Sequence, residues 1–169
     1  MAREVYAGPR GELFQRPCRE VIDYFDTVTL ERQDMALSAG ESLIEKAPAD
    51  GMMVCRLIAQ PGAMAKLTFR AEEGKPEAGY TLSLDFTTGK GALASQFANY
   101  EQDCALKPGR EVEVRAFVLR DVLEVFVDDA YCFTMHCYNW PDGALKVTAE
   151  SAVLTVNILT ACISSESTA

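Results

Sequence analysis

The fold is decided by one alternating stretch of the chain, Glu111-Val112-Glu113-Val114-Arg115-Ala116-Phe117-Val118. Successive side chains of a β-strand point to opposite faces of a sheet. The four apolar residues at even positions therefore share one face, and charged residues dominate the other. A register slip of one residue would expose the whole apolar set. The stretch predicts a strand of an antiparallel sheet with one buried face.

Runs of strand-forming residues recur at short intervals on both sides of this stretch. They are Met52–Ile58, Ala65–Arg70, Tyr80–Thr87, Leu123–Val127, Tyr131–Tyr138, Leu145–Ala149 and Leu154–Leu159. Asp128-Asp129-Ala130 separates two of the runs and predicts a tight hairpin connection. The segments that leave room for a helical turn or a long loop are Asp23–Phe25 and Gln33–Lys46. We therefore predict an all-β fold, a two-sheet antiparallel β-sandwich of the concanavalin-like or jelly-roll type.

The sandwich is predicted to span residues 1–162, followed by a small polar tail over residues 163–169 that we expect to be frayed. The alternation predicts that these side chains are buried: Val112, Val114, Leu123, Val125, Val127, Val156 and Ile158.

Composition narrows the classes of partner. The chain has 169 residues and a formal net charge of −9, with 16 Lys and Arg against 25 Asp and Glu. This acidic balance disfavours binding to nucleic acid or to anionic membranes. No apolar run approaches the roughly 20 residues that span a bilayer, and the first residues carry charge where a signal peptide needs an apolar stretch. We therefore expect a cytoplasmic protein with neither nucleic acid nor a membrane as partner.

The six cysteines are predicted to be reduced thiols, and no cofactor or metal is expected. Metal ligation is the alternative, because Cys132, His136 and Cys137 lie close in sequence. In an extended strand, however, Cys132 and His136 would lie about 13 Å apart, and Cys137 would point to the opposite face.

The hairpin sequence carries a family resemblance. The stretch Asp121-Val122-Leu123-Glu124-Val125-Phe126-Val127-Asp128-Asp129-Ala130 resembles a strand and turn of the C-terminal β-sandwich of glycoside hydrolase family 32, the invertase, levanase and inulinase family. Tyr131–Pro141 is similar to the family's next strand, which ends in an aromatic residue and a proline. The segments Leu145–Ala149 and Val156–Leu159 are similar to its last two strands.

The N-terminus adds to this resemblance. Arg3-Glu4-Val5 and Gly11-Glu12-Leu13-Phe14-Gln15-Arg16-Pro17 are similar to the strand that joins the family's catalytic propeller to its sandwich. The resemblance implies that residues 1–17 are this joining segment and that the chain is an excised or free-standing accessory domain. Two positions depart from the family pattern: Leu119 stands where Asp is frequent, and Ala130 replaces the glycine of the hairpin.

Catalysis does not transfer with the resemblance. Family 32 hydrolysis needs two opposed carboxylates, which lie in the propeller, and the propeller's Asn-Asp-Pro, Arg-Asp-Pro and Glu-Cys motifs are missing from this sequence. A hydrolase site of another type would have to be built around His136, and no nucleophile motif accompanies that residue. We therefore expect no glycosidase activity.

Two functions remain open, and each involves a binding partner, either a carbohydrate or a glycosidase catalytic domain. The first is carbohydrate binding, because aromatic faces pack on the C–H surfaces of sugars while charged groups bond to the hydroxyls. The candidate site residues are Trp140, Tyr138, Glu124 and Arg120, with a fructan or sucrose-type ligand implied by the resemblance. The alternative is a structural domain that packs on a glycosidase propeller through Val5–Pro17, with Leu13 and Phe14 exposed on an apolar patch.

Overall fold

The computed structural model describes residues 1–168. Over these residues the chain forms fourteen β-strands, an α-helix and a 3-10 helix. The strands are β1 (Arg3–Ala7), β2 (Leu13–Pro17), β3 (Thr27–Leu37), β4 (Ser42–Glu45), β5 (Gly51–Ala59), β6 (Met64–Ala71), β7 (Tyr80–Asp85), β8 (Lys90–Ala94), β9 (Asn99–Asp103), β10 (Glu111–Leu119), β11 (Val122–Val127), β12 (Tyr131–His136), β13 (Ala144–Ala149) and β14 (Leu154–Ile163). The helices are α1 (Arg19–Tyr24) and the 3-10 turn Ser165–Thr168.

Two six-stranded antiparallel sheets make the sandwich that the sequence predicts. The front sheet has the order β12-β11-β10-β5-β14-β3, and the back sheet has the order β4-β13-β6-β7-β8-β9. Side chains join the sheets at both edges, where Arg32 donates to Glu45 at 2.7 Å and Gln102 donates to the Cys132 carbonyl at 3.0 Å. Strands β1 and β2 form a separate N-terminal hairpin. The prediction of an all-β sandwich is confirmed.

The inner faces of the sheets form one continuous apolar core. Six of the side chains expected there are buried, namely Val112, Val114, Leu123, Val125, Val127 and Val156. Ile158 is the exception, because β14 shifts its register against β5 between Val156 and Ile158. The extra residue turns Ile158 partly outward and places Leu159 in the core instead.

The segment Gln33–Lys46, which was expected to be a loop or helical turn, is mostly strand, with a short turn over residues 38–41. It contains the end of β3 and all of β4. Strand β3 lies at the edge of the front sheet, and most of its side chains are exposed. An edge strand with little burial has little apolar alternation, and for that reason the sequence pattern missed it. Strand β9, at the edge of the back sheet, was missed for the same reason.

The polar tail expected from residue 163 onward is attached to the domain. Ile163 ends β14 and Ser164 is buried. The Ser165 backbone N–H and hydroxyl both donate to the Asp26 carboxylate, at 2.9 and 2.8 Å. These bonds lower the pKa of Asp26. The end of the predicted tail, Ala169, lies outside the described residues.

A second apolar cluster lies on the outer face of the front sheet. Phe117 and Phe126 are fully buried there, with ring centroids 6.0 Å apart and edge to face. Phe25, which follows α1, packs on Phe117 at 5.7 Å. Strand β10 is therefore apolar on both faces where these rings lie, and α1 closes the outer side.

Among the described residues, no helix is long and apolar enough to cross a membrane.

The N-terminal hairpin covers the β11–β12 side of the same outer face. The Phe14 ring packs edge-on against Tyr131 at 5.5 Å, and the Tyr6 hydroxyl donates to the Asp129 carbonyl at 2.8 Å. The Gln15 N–H donates to the Ala130 carbonyl at 2.9 Å. The hairpin is thus tied to the turn between β11 and β12.

All six cysteines are free thiols. Burial raises the pKa of both Cys55 and Cys104 to about 12. Because the thiolate is the reactive form, these two thiols are chemically silent while the core is closed.

We predict a biphasic thiol titration at pH 8. In the native protein the half-buried thiols of Cys18 and Cys132 should react with a disulfide reagent first, while Cys55 and Cys104 stay unreactive. In denaturant all six should react. Fewer than six thiols in denatured, unreduced protein would contradict a fully reduced chain.

Candidate functional site

Three connecting segments meet at one end of the sandwich, residues 46–50, 120–121 and 137–143, and we call this region the loop end. The guanidinium of Arg70 lies at its centre. It donates to the carbonyls of Arg120 at 2.7 Å, Ala49 at 3.4 Å and Asn139 at 3.5 Å, and also to the carbonyl of Cys137. One buried side chain, 4% exposed, therefore ties all three segments together.

A β-bulge brings Arg70 into this position. Arg70 has a φ of +58°, and the pairing of β6 with β13 shifts register between Ala144 and Lys146. The left-handed residue turns the side chain inward at a place where strict alternation would point it to solvent. Gly143 passes directly over the bulge, since a Cβ there would lie 2.3 Å from the Arg70 carbonyl carbon. The bulge and the glycine thus form one local unit.

The backbone of Arg120 is held from both sides. Its N–H donates to the Asp50 carboxylate, and its carbonyl accepts from Arg70. Its φ of +42° fits the tight turn between β10 and β11. The side chain of Arg120 is exposed and makes no hydrogen bond or ion pair with any residue from 1 to 168. An open cleft of about 370 Å³ beside it is lined by Asp50 and Asp121.

An aromatic surface lies next to this cleft. Tyr138 is 68% exposed, and its ring stacks on the ring of His136 with centroids 5.3 Å apart and an interplanar angle of 6°. His136 is the cross-strand partner of Val122, which lines the cleft. The Cys137 N–H donates to the Asp121 carbonyl at 2.8 Å, so the segment with Tyr138 is bonded to the segment with Arg120.

Trp140 belongs to the loop end but is half-buried rather than displayed. It packs against the main core, and its ring meets Tyr80 edge-on with centroids 5.9 Å apart. The Tyr80 hydroxyl accepts from the N–H of Asn139 at 3.2 Å. This packing is what a residue that closes the edge of the sandwich would show.

Glu124 lies outside the loop end, contrary to the expected grouping. It projects from the outer face of the front sheet and is only 3% exposed. Arg3 donates to it at 2.6 Å, and the Met1 amino group lies 3.5 Å away. The bond to Glu124 raises the pKa of Arg3. The alternation along β11 shows that Glu124 faces away from the main core, but not that Arg3 of β1 covers it.

The described part of the chain contains no cluster of metal-ligating side chains. No group of three or more His, Cys, Asp or Glu side chains among residues 1–168 is placed to hold an ion. Cys137 is buried in the core, whereas His136 is exposed.

The loop end presents groups that can form hydrogen bonds and stacking contacts with a ligand. It displays a guanidinium, two carboxylates and a stacked aromatic pair on segments fixed by Arg70. Of the residues proposed from the sequence, Arg120, Tyr138 and Trp140 lie at the loop end, together with Arg70, Asp50 and Asp121, which the sequence did not suggest. The alternation in β6 predicts an exposed side chain for Arg70, because no sequence pattern indicates the bulge. Asp50 accepts a hydrogen bond from the Arg120 N–H, which is 70 positions away in the sequence, so no local pattern indicates this contact.

Solved structures share this architecture, although no protein-family model and no curated protein matches the sequence. The matches share one fold, the two-sheet β-sandwich, in chains that include larger enzymes and free-standing domains. Fructan 1-exohydrolase IIa from Cichorium intybus matches with a TM-score of 0.75 and 12% identity, over 96% of this chain and 40% of its own. Exo-inulinase from Aspergillus awamori matches with a TM-score of 0.73 and 16% identity, over 95% of this chain and 34% of its own.

A free module matches as well. The carbohydrate-binding module CBM66 from Bacillus subtilis has a TM-score of 0.55 and 12% identity, over 92% of this chain and 89% of its own. The chain thus spans only 34–40% of the length of the two enzymes, but nearly all of the module. At these identities the likeness establishes the fold. The resemblance to the C-terminal β-sandwich of glycoside hydrolase family 32 is confirmed at that level.

We predict that Arg70→Met destabilises the protein by about 3 kcal/mol, because it leaves buried carbonyls without donors. Arg56→Met is the matched control. Arg56 also spans two strands, but it is 44% exposed in its pair with Glu113, so its loss should cost less than about 1 kcal/mol. Urea unfolding of both variants measures the difference. Equal stability of the two would show that the Arg70 bonds do not hold the loop end.

For the buried pair we predict strong non-additivity. Arg3→Met should cost about 3 kcal/mol, since it removes the 2.6 Å hydrogen bond to the buried carboxylate of Glu124 and leaves only the more distant Met1 amino group, whereas Arg3→Met with Glu124→Met should recover most of the loss. A double-mutant cycle by urea unfolding measures this coupling. A double variant no more stable than Arg3→Met would contradict a cost that comes from the unpaired charge.

Proposed function

We propose that this chain is a carbohydrate-binding β-sandwich that performs no hydrolysis itself. One observation carries the proposal. The side chains of Arg120 and Tyr138 are exposed on segments held together by the single buried guanidinium of Arg70. Sugars are bound by aromatic faces on their C–H surfaces and by charged groups on their hydroxyls. The loop end offers both kinds of group on a rigid support.

The proposed ligand is a fructan or a sucrose-type sugar. The support is the shared fold with enzymes named for fructan and inulin and with a carbohydrate-binding module. In this proposal Tyr138 stacks on a sugar ring, Arg120 donates to hydroxyls and Asp121 accepts from them. Trp140 keeps the edge of the sandwich closed beneath them. The free thiols support a reducing compartment, and we place the protein in the cytoplasm.

A second candidate function is favoured by a different surface. Val5 and Leu13 are 63% and 74% exposed on the N-terminal hairpin. Residues 5 and 13 lie on the same face of this hairpin, because Val5 pairs with Gln15 and Ala7 pairs with Leu13. Phe14, by contrast, is half-buried against Tyr131. This apolar face fits a structural domain that packs on a β-fructosidase propeller and stabilises it without binding sugar.

We predict that Tyr138→Ala and Arg120→Ala each weaken binding of sucrose or inulin by about tenfold or more, equivalent to about 1.4 kcal/mol. Isothermal titration calorimetry with both sugars measures the affinity. Tyr100→Ala is the matched control, because Tyr100 is similarly exposed, at 55%, but lies on the edge strand β9. It should bind like the wild type.

Failure of this experiment has a clear meaning. A wild-type protein that binds no member of a glycan array containing fructans and sucrose would contradict carbohydrate binding. The structural function, in which the domain packs on a propeller, makes a separate prediction. Leu13→Ser should fold with wild-type stability but lose its association with a separately expressed β-fructosidase propeller.

A further inference from the structure

The back sheet carries a second cleft that the loop-end site does not use. It has a volume of about 670 Å³ and lies on the outer face of this sheet, where β4, β6 and β13 meet the loop of residues 72–79. A smaller cleft of about 260 Å³, lined by Thr81 and Ala94, lies against the same loop. Pro76 and Ala78 line both clefts, so the loop stands between two adjoining hollows.

The floor of these clefts is a row of cross-strand partners. Ile44 pairs with Lys146, Lys146 with Thr68, Thr68 with Thr81, and Thr81 with Ala94. The middle of the row is made of small residues, and the hydroxyls of Thr68 and Thr81 are 2.9 Å apart. The two clefts therefore lie along one row of residues from β4 to β8, and we call this row with its two clefts the trough.

The wall of the trough is braced. Glu72 and Lys75 form an ion pair and an isolated β-bridge within the loop, and the Ala78 N–H donates to the Lys75 carbonyl at 3.0 Å. The loop begins two residues after Arg70, so it continues from the centre of the loop end. The trough is thus a formed surface rather than a gap between unbraced side chains.

Lys146 lines the trough and has no partner among the described residues. It is half-buried, and no residue from 1 to 168 bonds to its ammonium group. Other lysines on this sheet are paired, Lys66 with Glu150 and Lys90 with Glu101, both at 2.6 Å. An unpaired lysine that lines a cleft is suited to donate hydrogen bonds to the oxygens of a ligand.

The charge of the cleft selects the kind of ligand. The lining contains two acidic residues, Glu72 and Glu73, and two lysines, Lys75 and Lys146, so its formal charge is zero. The whole chain carries −9, which disfavours an anionic ligand. Ile44, which is 57% exposed, and Pro76 offer apolar surface beside these polar groups. Mixed donors and acceptors with apolar patches match an uncharged chain of hydroxyl-rich units.

We propose that this trough is a second subsite, which binds internal units of a neutral oligosaccharide with Lys146 as a hydrogen-bond donor. The inference rests on the proposed carbohydrate function and extends it. Because the cleft at the loop end and the cleft of the trough share no lining residue, a ligand that reaches both must extend over several sugar units. Sucrose engages the loop end alone, whereas inulin engages both sites and gains from the second contact.

Calorimetry with sucrose and with long-chain inulin tests the subsite. Lys146→Met keeps the apolar stem and removes the donor, so it should weaken inulin binding by about tenfold and leave sucrose binding unchanged. Lys90→Met is the control on the same sheet and should change neither affinity. A thermal melt of each variant confirms that it is folded.

The other outcomes separate the two proposals. If Lys146→Met binds inulin like the wild type while Tyr138→Ala loses both sugars, the second subsite is overturned and the loop-end function stands. If Lys146→Met loses sucrose and inulin equally, the separate subsite is also overturned. If the wild type binds neither sugar, both proposals fall.

Discussion

The structure depends on the burial of both faces of strands β10 and β11. Their inner faces close the core against the back sheet, and their outer faces carry Phe117 and Phe126, which are also buried. A sheet that is apolar on both sides needs a cover on each. The back sheet is one cover, and helix α1 with the N-terminal hairpin is the other. The outer face of the front sheet is therefore covered at β10 and β11. The outer face of the back sheet, in contrast, carries polar residues and clefts.

The sequence predicted what depends on local periodicity and missed what depends on contacts between distant residues. The alternation in β10 and β11 is a property of neighbouring residues, and the buried set followed from it with Ile158 as the exception. Glu124 shows the opposite case. Its outward direction was predictable from the alternation, but its burial depends on Arg3, which is 121 positions away. The edge strand β3 escaped prediction because an exposed edge has no apolar face to mark it.

The candidate site shows the same division. Arg120 and Tyr138 stand out in the sequence because a charged group and an aromatic ring near the predicted hairpin are the groups that bind sugars. Arg70 does not, because its role comes from a left-handed bulge that places its side chain in the interior. A buried guanidinium without a carboxylate partner depends on backbone carbonyls for compensation, and here those carbonyls come from three separate connections. The position of the loops and the stability of the domain therefore rest on the same group.

The packing of Trp140 has a practical consequence for spectroscopy. It is the single tryptophan of the chain, and its ring lies against Tyr80 at the edge of the sandwich. Tryptophan emission from this protein consequently reports on the loop end and not on an average over the domain. A shift in emission that precedes the loss of β-sheet circular dichroism would resolve a local opening of the loop end from global unfolding. The protein thus carries an intrinsic fluorescent probe at the place where its connecting segments meet.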